Sequence, residues 1–297
     1  MDRHISSPHE LFAVIADLRT PMERDMTGQE PQASHVIEID TSKPHPARMY
    51  DWFLGGKDNY PVDEQMARQL LALDSRGRDM ARVNRAFMHR ATRYLAENGV
   101  RQFLDIGTGI PTEPNLHQIA QQAAPDARIV YCDNDPIVLA HAAALLRSTP
   151  EGATEYIQVD AREPATILEQ AGKVLDFSKP IALSLLALLH FLDDEDGAAE
   201  LVGRLVEQLP SGSYLVLSHT TGDFNPEGAA QARAMYKAKG MTLRPRSHAE
   251  LSAFFDGLEL VEPGVSLSAD WRPELGEVID VPGDEPIPGY AGVARKP

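Results

Sequence analysis

The stretch Phe103–Thr112, FLDIGTGIPT, constrains the fold of this chain more than any other. Its apolar residues predict a buried strand that ends at Ile106, and Gly107 and Gly109 predict a tight turn. Pro111 and Thr112 suit the first turn of a following helix, where a missing N–H costs little. Glycines at such a turn let a ligand approach the bare backbone. The stretch predicts a nucleotide-sized site at the carboxyl end of a parallel sheet.

The competing interpretation is the dinucleotide fingerprint G-x-G-x-x-G. Its third glycine is replaced by Thr112 here, and Asp105 comes two residues before the first glycine. An acid at that position suits a ligand that carries positive charge better than it suits a pyrophosphate. The form D-x-G-x-G resembles the first motif of the class I S-adenosylmethionine (SAM) methyltransferases, and it favours SAM over a nicotinamide cofactor.

Apolar strands alternate with amphipathic helices after residue 100, which predicts an α/β fold with a parallel sheet and right-handed crossovers. The predicted strands are 101–106, 128–132, 154–159, 180–188 and 213–218. The predicted helices are 112–124, 136–147, 163–171, 194–209, 227–239 and 248–256. Residues 258–261 and 290–294 are candidates for the last strands.

Acidic residues follow the second and third strands. Asp133 comes 24 positions after Gly109, where a carboxylate meets the ribose hydroxyls of an adenine nucleoside. The alternative role of helix N-cap suits Asn134 or Asp135 better. Asp160 and Ala161, at the end of the third strand, either face an adenine ring or cap the next helix; the sequence leaves both interpretations open.

The fourth strand ends at His190 and the fifth ends near His219. Histidines at these strand ends are predicted to lie near the reactive centre. Structural packing against the next helix is the alternative. The acidic run 193–196 is interpreted as a solvated helix start that complements the helix dipole, and no metal site is predicted.

The segment before the first strand divides into an extension or linker over residues 1–45 and a helical part over 46–100. A short amphipathic helix is predicted at Leu11–Leu18. Gly55-Gly56-Lys57 is not a P-loop, because Asp58 replaces the required Ser or Thr and no strand precedes the glycines. A helix ended by Gly55 explains the glycine but not the polar cluster that follows it.

The composition of the chain limits the kinds of binding partner and the cellular compartment that are expected. The net charge is -16, which argues against nucleic acid and against an anionic membrane surface. Arginines between Arg76 and Arg101 are interpreted as a solvated helix face. Cys132 is the single cysteine, so neither a disulfide within the chain nor a cysteine zinc site is expected. The absence of a signal-like or membrane-length apolar run predicts a cytoplasmic protein.

Seven segments together resemble a SAM-dependent methyltransferase family long catalogued as a domain of unknown function. They cover most of the chain after residue 45: ARMYDWFLGGKDNYPVD (47–63), NRAFMHRATRYLAENGVRQFLDIGTGIPT (84–112), APDARIVYCDNDPIVLAHA (124–142), LLHFL (188–192), GSYLVLSH (212–219), FFDGLELVEPG (254–264) and GYAGVARKP (289–297).

The resemblance implies a Rossmann-like class I core over 101–297, a mostly parallel seven-stranded sheet whose last strand is antiparallel, and a helical lid over 46–100. It implies that Gly107, Thr108 and Gly109 line the methionine part of SAM, with Asp105 near the amino group. Asp133 and Asn134 would then hold the ribose, and Asp160 and Ala161 the adenine. Tyr50, Lys57 and Asn59 of the lid would lie at or near the site.

The expected reaction is methyl transfer from SAM to an unidentified small-molecule acceptor. His190, His219 and Tyr50 are the candidate bases for an acceptor that carries a proton. A non-catalytic SAM-binding module and an NAD(P)-dependent oxidoreductase are the alternatives. A homodimer is compatible with the sequence.

Overall fold

The computed structural model describes residues 40–145 and 147–297. The helix predicted at Leu11–Leu18 and most of the predicted linker lie outside these ranges. Nine α-helices occur in the described residues: α1 Pro46–Leu54, α2 Pro61–Leu73, α3 Gly77–Glu97, α4 Leu116–Ala123, α5 Pro136–Leu145, α6 Pro164–Ala171, α7 Ala198–Glu207, α8 Pro226–Ala238 and α9 His248–Ser252.

The strands of the described residues form one sheet of eight strands. They are β1 Gln102–Ile106, β2 Arg128–Asp133, β3 Ala153–Gln158, β4 Ala182–Leu186, β5 Tyr214–Thr220, β6 Glu259–Leu260, β7 Ser266–Leu267 and β8 Gly289–Arg295. The order is β3-β2-β1-β4-β5-β8-β6, with the short β7 also paired to β8. The first five strands are parallel and β8 is antiparallel to β5, which confirms the expected architecture. The strand β7 was not predicted.

The two faces of the sheet carry separate apolar cores because alternate strand residues point to opposite sides. Leu104 and Ile106 pack toward α6 and α7, whereas Phe103 packs toward α3 and α4. Asp105 shares the face of Phe103 because the two residues are two positions apart on β1. The carboxylate of Asp105 is therefore on the side of the sheet that α3 covers.

The arginines of α3 do not all belong to a solvated face, which corrects that interpretation. Arg90 is only 1% exposed and donates hydrogen bonds to the backbone oxygens of Ser268, Trp271 and Glu277. The helix thus fixes the loop between β7 and β8. Trp271 in that loop is fully buried against Phe87.

The helix after β1 begins later than predicted. Asn115 is its N-cap and forms a capping box with Gln118, so α4 starts at Leu116. The backbone N–H of Thr112 donates to the side-chain oxygen of Asn115 at 3.1 Å. Pro111 and Thr112 therefore belong to a loop over 107–115, and the glycine turn does not lead directly into the helix.

The helices α1 and α2 begin at prolines, and α1 ends at a glycine, as expected from the helix preferences of these residues. Pro46 and Pro61 occupy the first positions of α1 and α2, where proline is tolerated. Gly55 ends α1 with φ 85°, a left-handed conformation that favours glycine. Among the helices of residues 40–145 and 147–297, none has both the length and the apolar character needed to cross a membrane.

Candidate functional site

A cavity of about 590 Å³ opens at the carboxyl edge of the parallel strands. Residues from α1, α2, α3 and α8 form its other walls. Every parallel strand contributes to the lining where it ends: Gly107 after β1, Asp133 of β2, Asp160 after β3, Leu188 after β4 and Thr220 of β5. Because the carboxyl ends of parallel strands meet at one edge, the topology itself assembles this site.

The turn after β1 is as tight as its glycines suggest. Gly107 and Gly109 have φ values of 76° and 67°. The N–H groups of Gly107 and Thr108 both donate to the backbone oxygen of Cys132, at 2.8 and 3.2 Å. A Cβ on Gly107 would come within 2.6 Å of the Leu188 side chain. The cavity lining therefore requires glycine at this position for both space and backbone conformation.

Asp133 joins two neighbouring strand ends. Its carboxylate accepts the N–H of Gly109 at 2.8 Å and that of Asp135 at 3.0 Å. Burial raises the pKa of Asp133, while these two hydrogen bonds lower it. Asp135 in turn accepts the N–H of Ile137 at the start of α5, so Asp135 takes the capping role and Asp133 faces the cavity.

Asp160 is held beside Asn134 and Arg162. The Asn134 amide donates to its carboxylate at 3.0 Å, and the Arg162 guanidinium donates at 2.7 and 2.8 Å. The Arg162 hydrogen bond, more than any other interaction, holds the pKa of Asp160 below its usual range. The residue at the N-cap of α6 is Glu163, so Asp160 is not the helix cap. Ala161 also lines the cavity.

Asp105 lies in the cavity wall with only 7% of its surface exposed. Burial raises its pKa to about 7, helped by the nearby charge of Asp133 and opposed by Arg85. A carboxyl group with such a pKa changes its charge in the physiological range. Arg85, on α3, was missed at the sequence level because its position in a run of arginines carried no sign of burial.

Among the three candidate bases, His219 is a structural residue. Its Nδ1 hydrogen bonds to the backbone oxygen of Thr220 at 2.7 Å, and its Nε2 accepts from Arg246 at 2.9 Å. The backbone oxygen requires the proton on Nδ1, so Nε2 serves Arg246 as the acceptor. Burial lowers the pKa of His219 to about 4. Both ring nitrogens are engaged, which corrects the prediction of a catalytic role for His219.

Tyr50 is also engaged in the fold. Its hydroxyl donates to the backbone oxygen of Ala81 at 3.0 Å and accepts from the Asn84 amide at 2.9 Å. Asn84 accepts a further hydrogen bond from Ser218 at 2.5 Å. Burial raises the pKa of Tyr50. Tyr50 lines the cavity as expected, but its hydroxyl ties α1 to α3 and is not available as a base.

His190 differs from His219 and Tyr50 because one of its ring nitrogens forms no hydrogen bond with the described residues. It lines the cavity after β4, and its Nδ1 is buried with no hydrogen-bond partner among the described residues. Burial, with Arg246 and His219 nearby, lowers its pKa well below the usual range, so the ring is neutral at pH 7. A neutral imidazole with a nitrogen uncommitted to the fold is in the form that accepts a proton, but its lowered pKa makes it a weak base.

Lys57 and Asn59 were expected at or near the site, and neither is among the residues that line the cavity. Lys57 is exposed. Asn59 donates to the carboxylate of Asp51 at 2.9 Å and to the backbone oxygen of Gly56 at 3.1 Å. A Cβ on Gly56 would lie 1.9 Å from the same carboxylate. The polar cluster after Gly55 is therefore a turn built around buried Asp51.

No cluster of His, Cys, Asp and Glu side chains suited to a metal ion occurs in the part of the chain that the structure describes. The chemistry available at the cavity is that of carboxylates, exposed backbone groups in a glycine turn, one neutral imidazole and one arginine. Acidic groups on successive strand ends, beside a turn that admits a close ligand, fit a positively charged adenine nucleoside.

Comparison with known proteins identifies the family. The model of a family described as S-adenosyl methyltransferase matches residues 32–297. The structure of a DUF574 family protein from Streptomyces avermitilis MA-4680 is 48% identical, with a TM-score of 0.84, and the match covers 88% of this chain and 100% of that one. A candidate methyltransferase from Thermobifida fusca YX is 38% identical, with a TM-score of 0.78, over 86% of this chain and 96% of that one.

A search of curated protein sequences returns no match. The chain belongs to the S-adenosyl methyltransferase family, and it is a SAM-dependent methyltransferase with a Rossmann-like class I core. The family assignment decides between the two cofactors in favour of SAM. It leaves the acceptor and the roles of individual residues open.

Proposed function

We propose that this enzyme methylates a small, largely apolar molecule bound beyond β4 and β5, under helices α1, α2 and α8. The supporting observation is that one continuous cavity joins the acidic rim to an apolar chamber. The chamber wall consists of Met49 and Phe53 of α1, Leu70 of α2, Phe191 after β4, Tyr236 of α8, and Met241 and Leu243 after α8.

The size and charge of the cavity support a small acceptor. A volume of about 590 Å³ lies within the range of small-molecule sites, which is roughly 300–1,000 Å³. In the chamber, the carboxylate of Asp74 is neutralised by Arg76 at 2.7 Å. A nucleic acid would need basic residues along an open groove, whereas the chamber wall is aliphatic and aromatic. Dimerisation and a cytoplasmic location stay predictions.

The order of the strands supports the arrangement of the cofactor. Along the edge from β3 to β4, the lining changes from Asp160 and Ala161 to Asp133 and Asn134, then to the glycine turn, and finally to Leu188. We assign the first pair to the adenine and the second to the ribose. The methionine part then lies against 107–109, with its amino group near Asp105. In this arrangement, the turn after β1 and Leu188 after β4 would hold the sulfonium end of SAM next to the chamber.

SAM supplies an activated methyl group whose leaving group is a neutral thioether, so the protein needs no strong acid on that side. The chain orients the acceptor and excludes water, which accounts for most of the help that a displacement of this kind requires. His190 is the proposed base for an acceptor O–H or N–H. Because its pKa is lowered, its effect should lie at the lower end of the roughly 10²- to 10⁴-fold range of general bases. Residues 46–100 are proposed as the lid that closes the chamber.

The proposal is tested by screening hydroxylated and aminated aromatic compounds for transfer from labelled SAM. Leu243→Trp would fill the chamber, so it should abolish turnover of an accepted compound while calorimetry shows unchanged affinity for S-adenosylhomocysteine. Leu260→Trp is the matched control, because Leu260 is 46% exposed and lies on β6. Unchanged turnover by Leu243→Trp would overturn the placement of the acceptor.

A further inference from the structure

Arg85 stands apart from the other arginines of α3. Arg82, three residues earlier, is exposed and pairs with Asp79 at 3.2 Å. Arg90 is fully buried against backbone oxygens. Arg85 is partly buried, lines the cavity and forms no ion pair with any residue of the described ranges. Arginine keeps its charge in proteins, and a cation withdrawn from water without an anion costs free energy.

Hydrogen bonds aim the guanidinium of Arg85 at the loop after the glycine turn. Its Nη2 donates to the backbone oxygens of Thr112 and Pro114, the latter at 2.6 Å. Its Nε and Nη1 have no acceptor within the part of the chain that the structure describes. The donors that remain are therefore available to a ligand at the methionine end of the edge, next to β1.

The remaining charges of the cavity favour cationic groups of a ligand. Asp105, Asp133 and Asp160 are carboxyl groups on three successive strand ends. The other arginine that lines the rim is already used, because Arg162 pairs with Asp160 at 2.7 Å. SAM carries a sulfonium, an ammonium and one carboxylate. The carboxylate is the group for which the acidic rim offers no partner.

We propose that Arg85 binds the carboxylate of the methionine part of SAM and of S-adenosylhomocysteine. The inference rests on the cofactor arrangement proposed above. It makes Arg85 the residue that discriminates the complete cofactor from an adenine nucleoside that lacks the amino acid group. The charge-assisted hydrogen bonds that form would also give the partly buried guanidinium an anion in direct contact, in addition to the more distant charge of Asp105.

The test compares two ligands on the wild-type protein and three variants by calorimetry. S-Adenosylhomocysteine carries the carboxylate and 5′-methylthioadenosine does not. For Arg85→Met we expect a loss of affinity for S-adenosylhomocysteine of about 10- to 100-fold, with affinity for methylthioadenosine changed less than about twofold. Arg82→Met, on the exposed side of the same helix, should change neither affinity. Arg85→Lys, which keeps a positive charge, should recover part of the loss.

Other outcomes distinguish the inference from its premise. An equal loss for both ligands in Arg85→Met would mean that Arg85 only supports the 107–115 loop, and the inference would be wrong. Unchanged affinity for S-adenosylhomocysteine would overturn it as well. If the wild-type protein binds S-adenosylhomocysteine but Asp133→Asn and Arg85→Met both leave that affinity intact, the cofactor arrangement itself is wrong. Thermal unfolding of each variant shows whether it is folded before binding is compared.

Discussion

The carboxylate of Asp133, the last residue of β2, accepts a hydrogen bond of 2.8 Å from the backbone N–H of Gly109, in the turn after β1. Two residues 24 positions apart are thereby locked into one surface of the cavity. The bond holds the turn in the shape that leaves its backbone open to a ligand, and Asp133 itself lines the cavity. A change at Asp133 is therefore expected to weaken ribose binding and to distort the turn at the same time.

Asp133→Asn tests this coupling. The amide keeps one acceptor but loses the negative charge, so we expect affinity for S-adenosylhomocysteine to fall about 10- to 100-fold, as for the loss of a hydrogen bond to a charged group. Calorimetry gives the affinity. Asp126→Asn is the control, because Asp126 is exposed and pairs only with Arg101 at 3.2 Å. Equal effects of the two changes would contradict the assignment.

Gly107→Ala separates backbone strain from the filling of the cavity. The new Cβ would meet the Leu188 side chain at 2.6 Å, with φ at 76°. Gly99→Ala is the matched control, because its φ is 91° and its Cβ would have no neighbour within 4 Å. We expect both variants to lose about 1–2 kcal/mol of unfolding free energy from strain. Only Gly107→Ala should lose affinity for S-adenosylhomocysteine; denaturant unfolding and calorimetry measure the two quantities.

The raised pKa of Asp105 predicts that the stability of the ligand-free protein depends on pH. Its pKa is raised from 3.8 to about 7, chiefly by burial. A raised pKa means that the folded state keeps a proton that the unfolded state releases, so the stabilising contribution is complete below about pH 4 and is lost as the pH rises through about 7. The unfolding free energy lost over this pH range is up to about 4 kcal/mol, because each pKa unit corresponds to about 1.36 kcal/mol.

The measurement is the melting temperature of wild type and Asp105→Asn from pH 5 to pH 8. Asparagine resembles the neutral acid, so the variant should gain stability relative to wild type as the pH rises. Its affinity for S-adenosylhomocysteine should fall, because the negative charge near the ligand amino group is gone. A difference in melting temperature that does not vary with pH would show that Asp105 does not titrate in this range.

The two histidines of the strand ends should behave differently when replaced. His219→Ala leaves the Nη1 group of Arg246 without its imidazole acceptor, and we expect a loss of about 1–3 kcal/mol of unfolding free energy. His190→Gln removes a ring whose Nδ1 has no partner in the described residues, so it should be less destabilising. Denaturant unfolding compares the two variants. With an identified acceptor, His190→Gln should lower kcat while S-adenosylhomocysteine still binds.

Acidic pH should lower the unfolding free energy because His219 is buried in its neutral form. Its pKa is lowered from 6.5 to about 4 because the ring is buried. The unfolded chain takes up the proton first, so stability is present above about pH 6.5 and falls as the pH drops toward 4. In His219→Gln, this part of the acid sensitivity should disappear, which unfolding curves at pH 7 and pH 4.5 would detect.

Local patterns were sufficient for most of the fold and for the position of the cavity. The strand periodicity, the glycine turn and the acids at strand ends predicted the order of elements, and they predicted that a residue after Asp133 caps the helix that follows β2. The start of α4 was wrong because a capping box at Asn115 outweighed the proline at 111. Lys57 and Asn59 do not line the cavity, because the polar cluster to which they belong surrounds Asp51, a buried acid that the sequence shows only as one more charge.

The sequence by itself determined the parallel sheet and the acidic rim at its carboxyl edge, because these follow from periodicity, glycine and the position of residues at strand ends. The antiparallel last strand was expected only from the family resemblance. Only the tertiary structure decided which polar groups remain available to a ligand. Arg246 engages His219, Asn84 engages Tyr50, and the imidazole of His190 and the guanidinium of Arg85 are left facing the cavity. Hydrogen-bond partners from distant segments make that choice, and spacing along the chain carries no record of them.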